Sequence, residues 1–235
     1  MIKKKSILIL LNIFFIFFNC QKNENPINIC KDCGSFDLNK VKFTENILEL
    51  TSKTEVTKST LNSNNDPSEL KGNVGESKSG DFLKYSFLND KNLKLGKTPF
   101  NYNNQFNFNQ LNILVDSKNK IIVLDATIFY DGKIEDITKF VDYLKKGNKA
   151  AKMIIGKMYG DLTVYQWFLN DKIIQLVKDN EEGTEEQTIN GKTTKTRSTY
   201  LKLNIYNRPL LTNSITSVIG QDSDFVLYDK KYYAN

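Results

Sequence analysis

Lys120-Ile-Ile-Val-Leu-Asp-Ala-Thr-Ile-Phe-Tyr130, then Asp131-Gly132, then Lys133-Ile-Glu-Asp-Ile-Thr-Lys-Phe-Val-Asp-Tyr-Leu-Lys-Lys-Gly147 changes its hydrophobic period part-way along. In the first run Ile122, Leu124, Ala126, Ile128 and Tyr130 fall on one face by the two-residue alternation of a strand, so that face is expected to be core. In the second, Ile134, Ile137, Val141 and Leu144 recur at intervals of three and four, as in an amphipathic helix. Asp131 suits the helix start and Gly147 its end. The helix must bury its apolar stripe, and the adjacent strand offers the nearest surface. This stretch therefore predicts an α+β fold.

The pattern extends outward on both sides. Phe106 to Val115 and Lys120 to Tyr130 are β-type runs separated by the turn formers Asp116, Ser117, Lys118 and Asn119, and they read as a hairpin. Leu162 to Leu169 and Lys172 to Val177, joined by Asn170 and Asp171, read as a second. Asn190-Gly191 marks a tight turn, Ser198 to Tyr206 a further strand with Leu201, Leu203 and Ile205 on one side, and Phe225 to Tyr228 a last strand. Phe43 to Leu50 fits a strand or a short helix, while 63–80, rich in Asn, Ser, Gly and Asp, reads as loop. The expected fold is an antiparallel sheet of about five or six strands packed on one main helix. Lys120-Ile-Ile-Val-Leu resembles Lys172-Ile-Ile-Gln-Leu, a likeness that composition explains without duplication.

The beginning of the chain speaks to location. Lys3, Lys4 and Lys5 precede the apolar run Ile7 to Phe18, broken only by Asn12 and followed by Asn19 and Cys20. The run is too short for a bilayer crossing, which needs about 20 apolar residues, and fits a secretory signal. Phe17-Phe18-Asn19-Cys20 resembles the bacterial lipoprotein signal class. That resemblance implies cleavage before Cys20, acylation of Cys20, and, with Gln21 in place of aspartate, outer-membrane sorting in a Gram-negative cell. Two or three acyl chains would hold a protein on a membrane almost permanently, because each buried methylene contributes about 0.8 kcal/mol. The expected organisation is a signal peptide over 1–19, a lipid-anchored polar tether over 20–39 and one α+β domain over 40–235, with 40–105 poorly defined by pattern.

Composition excludes more than the motifs suggest. Three of the +6 formal charges are the signal lysines, and Arg197 and Arg208 are the only arginines, so the bidentate fork that dominates base and phosphate recognition is scarce. No nucleic-acid partner is expected. Histidine is absent, which removes Ser-His-Asp and Cys-His nucleophiles and histidine-ligated metals. No cofactor or metal is expected.

Several local patterns imitate chemistry. Cys30-x-x-Cys33 has redox and zinc spacing, but it lies in polar linker and the only other cysteine is Cys20, so a local disulfide is expected. Ser68-x-x-Lys71 and Ser117-x-x-Lys120 lack the companion motifs of serine-lysine enzymes, and Gly191-Lys192-Thr193 has Glu186 where a phosphate loop needs glycine. Asp222, Asp224 and Asp229, or Glu181, Glu182, Glu185 and Glu186, are read as solvated charge. The aromatic residues carry the binding expectation. Tyr165 and Trp167 share one face of their strand, and Tyr200 and Tyr206 lie opposite Leu201, Leu203 and Ile205, so these four rings are expected to form a contact surface. The function class that follows is a non-catalytic envelope binding module, immunity- or inhibitor-like or glycan-binding. A carboxylate or tyrosine hydrolase and a structural envelope lipoprotein are the alternatives.

Overall fold

Thirteen strands and three α-helices organise the chain. The computed structural model describes residues 29, 35–52, 57–58, 74–79, 82–88, 100–130, 133–158, 162–179, 183–189, 192–219 and 225–228, and every count here refers to these. In chain order the elements are β1 (Phe36–Asp37), α1 (Ile47–Leu50), β2 (Thr57–Lys58), β3 (Val74–Ser79), β4 (Phe82–Leu88), β5 (Phe100–Tyr102), β6 (Phe106–Phe108), β7 (Gln110–Val115), β8 (Ile121–Tyr130), α2 (Ile134–Gly147), β9 (Lys152–Met158), β10 (Leu162–Phe168), β11 (Lys172–Lys178), β12 (Gly183–Ile189), β13 (Lys192–Asn207) and α3 (Asn213–Ile219).

The main sheet has ten strands, in the order β2-β3-β4-β7-β8-β13-β11-β10-β9, with β12 attached to β13 alone. Every pairing is antiparallel except β2 with β3. The fold is α+β as expected, with one main helix, but the sheet exceeds the expected five or six strands. Three of the extra strands, β2, β3 and β4, lie in the 40–105 region, and β3 corrects the loop reading of 63–80: residues 74–79 form a strand because they pair in register with β4, which their composition does not show. β1, β5 and β6 form a separate three-stranded sheet.

Both expected hairpins form, but the first run divides: Phe106–Phe108 is β6 of the small sheet, and only Gln110–Val115 pairs with β8. Between β7 and β8, Asp116 Oδ1 accepts the amides of Lys118 and Lys120 at 2.9 Å each, and Asn119 sits at φ 62°. Asparagine enters that left-handed region readily, which is why the four polar residues turn the chain.

On α2 the residues Ile137, Phe140, Val141 and Leu144 are buried, as the three-four spacing requires. Glu135 and Asp136 in its first turn and Lys145 and Lys146 in its last complement the helix dipole. The start differs from expectation. Lys133 occupies the N-cap position without a side-chain hydrogen bond, and Asp131 lies outside the described residues. At the other end Asn148 donates from Nδ2 to the Leu144 carbonyl at 2.9 Å.

The sheet is covered on both faces, and this overturns the one-sided reading. One face carries Leu124, Ala126, Trp167, Ile174, Leu176, Leu201, Leu203 and Ile205 against α2 and the small sheet. The other carries Leu114, Ile122, Val123, Ile173 and Tyr206 beneath α3 and residues 225–228. Ile122 thus parts from Leu124 and Ala126, because the register shifts between Leu114 and Val115 opposite it. Phe225–Tyr228 is no strand: Phe225 and Leu227 are buried as anchors of a strap lying over the second face. The polar tether ends sooner than expected, since Ile29, Phe36 and Leu38 are buried and the Ile29 amide donates to the Leu50 carbonyl at 2.8 Å. No helix among the described residues is long and apolar enough to cross a membrane.

Candidate functional site

The four rings expected to form one surface lie on opposite sides of the sheet. Trp167 is 1 % exposed on the α2 face and Tyr206 is 0 % exposed on the other. Alternation within each strand holds, with Tyr165 and Trp167 on one side of the sheet and Tyr200 and Tyr206 on the other. What failed was the premise that one face is open, because two cores leave neither strand an outward side at its centre. Tyr165 and Tyr200 remain half-buried.

Tyr165 lies on a concave surface. A cleft of about 250 Å³ opens where α2 meets the ends of β10, β11 and β13. The helix contributes Ile134, Ile137 and Val141 as apolar wall and Asp142 and Lys145 as rim; Tyr165, Lys178, Asp179 and Thr199 close the sheet side. Lys145 Nζ stands 5.1 Å from the centre of the Tyr165 ring and 3.9 Å from Asp142. The Tyr165 and Trp167 rings lie 6.2 Å apart with planes 16° from parallel.

Beyond Tyr165 the same face continues onto β9. Ile155 pairs across the strands with Tyr165, and Met153 with Trp167. Ile155 is 57 % exposed and Met153 39 %. Exposed aliphatic residues continuous with a cleft mark a contact surface more clearly than scattered ones do. The sequence did not single them out, since Lys-Met-Ile-Ile-Gly-Lys-Met shows no period that separates an edge strand from a buried one.

On the other face Tyr200 meets Phe129 at 5.4 Å, and Phe129 is 64 % exposed. Phe129 falls on the strand face that alternation assigns away from the first core, a signal that was available. Behind this pair runs a buried polar row, one residue per strand: Asn112, Asp125, Asn204, Gln175 and Gln166 are direct cross-strand neighbours. All five are at most 1 % exposed. Asp125 accepts from Asn112 at 3.1 Å, Asn204 at 2.9 Å and Thr127 at 3.2 Å, and pairs with Lys202 at 3.1 Å. Such a row is stabilising only where its members are hydrogen-bonded, since an unpaired buried polar group costs about 1–3 kcal/mol.

Cys20, Cys30 and Cys33 lie outside the described residues, as do Ser68, Lys71, Glu181, Glu182, Asp222, Asp224 and Asp229. Ser117 and Lys120 belong to the β7–β8 turn. Glu185 and Glu186 lie on β12, paired in register with Thr196 and Lys195. Among the described residues no group of three or more acidic or cysteine side chains is placed to hold a metal ion. The chain matches no known protein family, no curated protein and no solved structure.

Proposed function

We propose that this is an exported envelope lipoprotein, anchored through Cys20, whose folded domain binds a protein partner without catalysis. The single observation carrying the binding role is the run of exposed Ile155 and Met153 beside Tyr165 and the α2 cleft. Such a surface offers an apolar centre with a charged rim of Lys145, Asp142 and Lys178, the composition of a protein contact. A glycan platform fits less well, because Lys145 already occupies a face of the Tyr165 ring that a sugar would stack on. An immunity- or inhibitor-like role is one concrete form of the reading.

The test uses purified full-length chain as bait for envelope extract, with Ile155→Lys and Tyr165→Ala as comparisons. Capture of one partner that both substitutions abolish, with unchanged thermal melting, supports the surface. Equal capture by all three removes it. Anchoring is tested separately: Cys20→Ser is expected to shift the protein from the membrane to the soluble fraction.

A further inference from the structure

The strap over the second face is held by side chains reading its backbone. Gln175 donates from Nε2 to the Val226 carbonyl at 2.9 Å and accepts the Tyr228 amide on Oε1 at 2.9 Å. A carbonyl and an amide two residues apart point the same way on an extended chain, so one carboxamide imitates a neighbouring strand. The Tyr206 hydroxyl lies within donating reach of the Phe225 and Val226 carbonyls, at 3.2 and 3.1 Å. Phe225 and Leu227 supply apolar anchors two residues apart, 0 % and 2 % exposed. Main-chain contacts and two buried apolar side chains describe recognition of a peptide backbone rather than of one particular sequence.

The strap's rings reach across the row, Phe225 to Lys84 on β4 and Tyr228 to Gly156 on β9, but among the described residues its backbone bonds only to Gln175 and Tyr206. Gln166 donates to Gln175 at 3.1 Å, yet its Oε1 is buried without a partner, and so is Asn112 Oδ1 at the far end. Both orphans are acceptors and require N–H donors, which an extended backbone presents at every second residue. Asn112 on β7 and Gln166 on β10 are four strand spacings apart, about 19 Å, or about six extended residues. A segment that carries backbone N–H groups over both ends of the row would satisfy both acceptors.

We infer that this face is a peptide groove occupied in cis, and that its ligand is an extended segment of a partner protein with an aromatic and an aliphatic residue two apart, displacing residues 225–228. The inference concerns the face opposite the Ile155 surface and stands independently of it. Occupancy by the chain's own strap lowers the apparent affinity for an outside peptide by the fraction of time the groove is open.

Gly156 provides the lever for a test, because a Cβ there would overlap the Tyr228 ring. Gly156→Ala in the full-length chain should push out the Tyr228 ring, whose outer end it meets, and so weaken the strap's hold at that end while leaving Gln175, Gln166 and Asn112 in place. The probe is a fluorescent synthetic peptide carrying residues 221–235 with alanine in place of Tyr228, so that it escapes the clash that the chain's own strap meets, followed by anisotropy. Gly156→Ala is expected to bind it about tenfold more tightly than the unaltered chain. Adding Gln175→Ala, or replacing Phe225 and Leu227 in the probe by aspartate, should abolish the gain. Equal binding by the unaltered and Gly156→Ala chains overturns the groove, and a strap-swapped dimer by light scattering overturns the partner peptide in favour of a second copy. Should Gly156→Ala fail to fold, hydrogen exchange on the unaltered chain decides. A Tyr228 amide exchanging faster than those of β13 supports a detachable strap, and one exchanging only on global unfolding sinks it.

Discussion

Phe43 holds a phenyl ring at φ 61°, a conformation that bulky residues avoid, and the ring is nearly buried. Burial offsets the backbone cost, which is about 1–2 kcal/mol for a residue with a Cβ. The usual order of helix and strand substitutions should therefore invert here. Phe43→Ala loses the ring and keeps the strain, whereas Phe43→Gly loses the ring and sheds it. Denaturant midpoints are expected to show Phe43→Gly more stable than Phe43→Ala by about 1 kcal/mol. Tyr102 makes a second residue-level case. Burial, followed by Tyr143 and Asp37 nearby, pushes its hydroxyl well above the ordinary value of 10.0. The folded state therefore keeps a proton that the unfolded chain gives up above about pH 10, so stability is complete below that pH and falls as pH rises further. Tyr102→Phe is expected to flatten this alkaline loss when urea midpoints at about pH 9 and pH 11 are compared.

At the scale of elements, α2 begins without a side-chain cap at Lys133. Lys133→Asp supplies both an acceptor for an early amide and a charge suited to the dipole, and should stabilise by about 1 kcal/mol. In a chain of this size that appears as a rise of about 2–4 °C in melting temperature. This helix and both hairpins were legible in the sequence, because their signals are local: a three-four stripe, period-two runs and turn formers at the joints. Sidedness was not. The period that placed Leu124 and Ala126 together also placed Asp125 and Thr127 together, and nothing local says that α3 and the strap will cover that second set. Phe225–Tyr228 looked like a strand because alternating apolar residues suit a strap with two anchors equally well.

For the whole molecule, coverage of both faces turns the middle of the sheet into interior, and the polar row lies in it. Lys202→Met withdraws the ammonium 3.1 Å from the Asp125 carboxylate, which is 0 % exposed. Breaking a buried pair from one side is expected to cost about 3–5 kcal/mol, read from chemical denaturation. Trp167→Ala belongs to the same class. It should lower stability by about 3–5 kcal/mol through the cavity it leaves, so any binding lost with it reports unfolding rather than contact. The candidate surface was only partly legible for the same reason: Tyr165 stood out as an aromatic, but its companion Ile155 is exposed through its place on an edge strand, which depends on strand order.

β13 pairs with different neighbours in its two halves. Its second half is wedged between β8 and β11, while its first half pairs, among the described residues, with β12 alone, the paired residues ending at Ile189 and Lys192. The seven paired residues of each strand span about 23 Å. A protease nick between these two strands would sever the polypeptide without removing any pairing of the central strands, so the fragments should co-elute and melt together under native conditions. The junction between Ile189 and Lys192 is accordingly the seam at which this fold could be made from two complementing halves or accept a foreign insert.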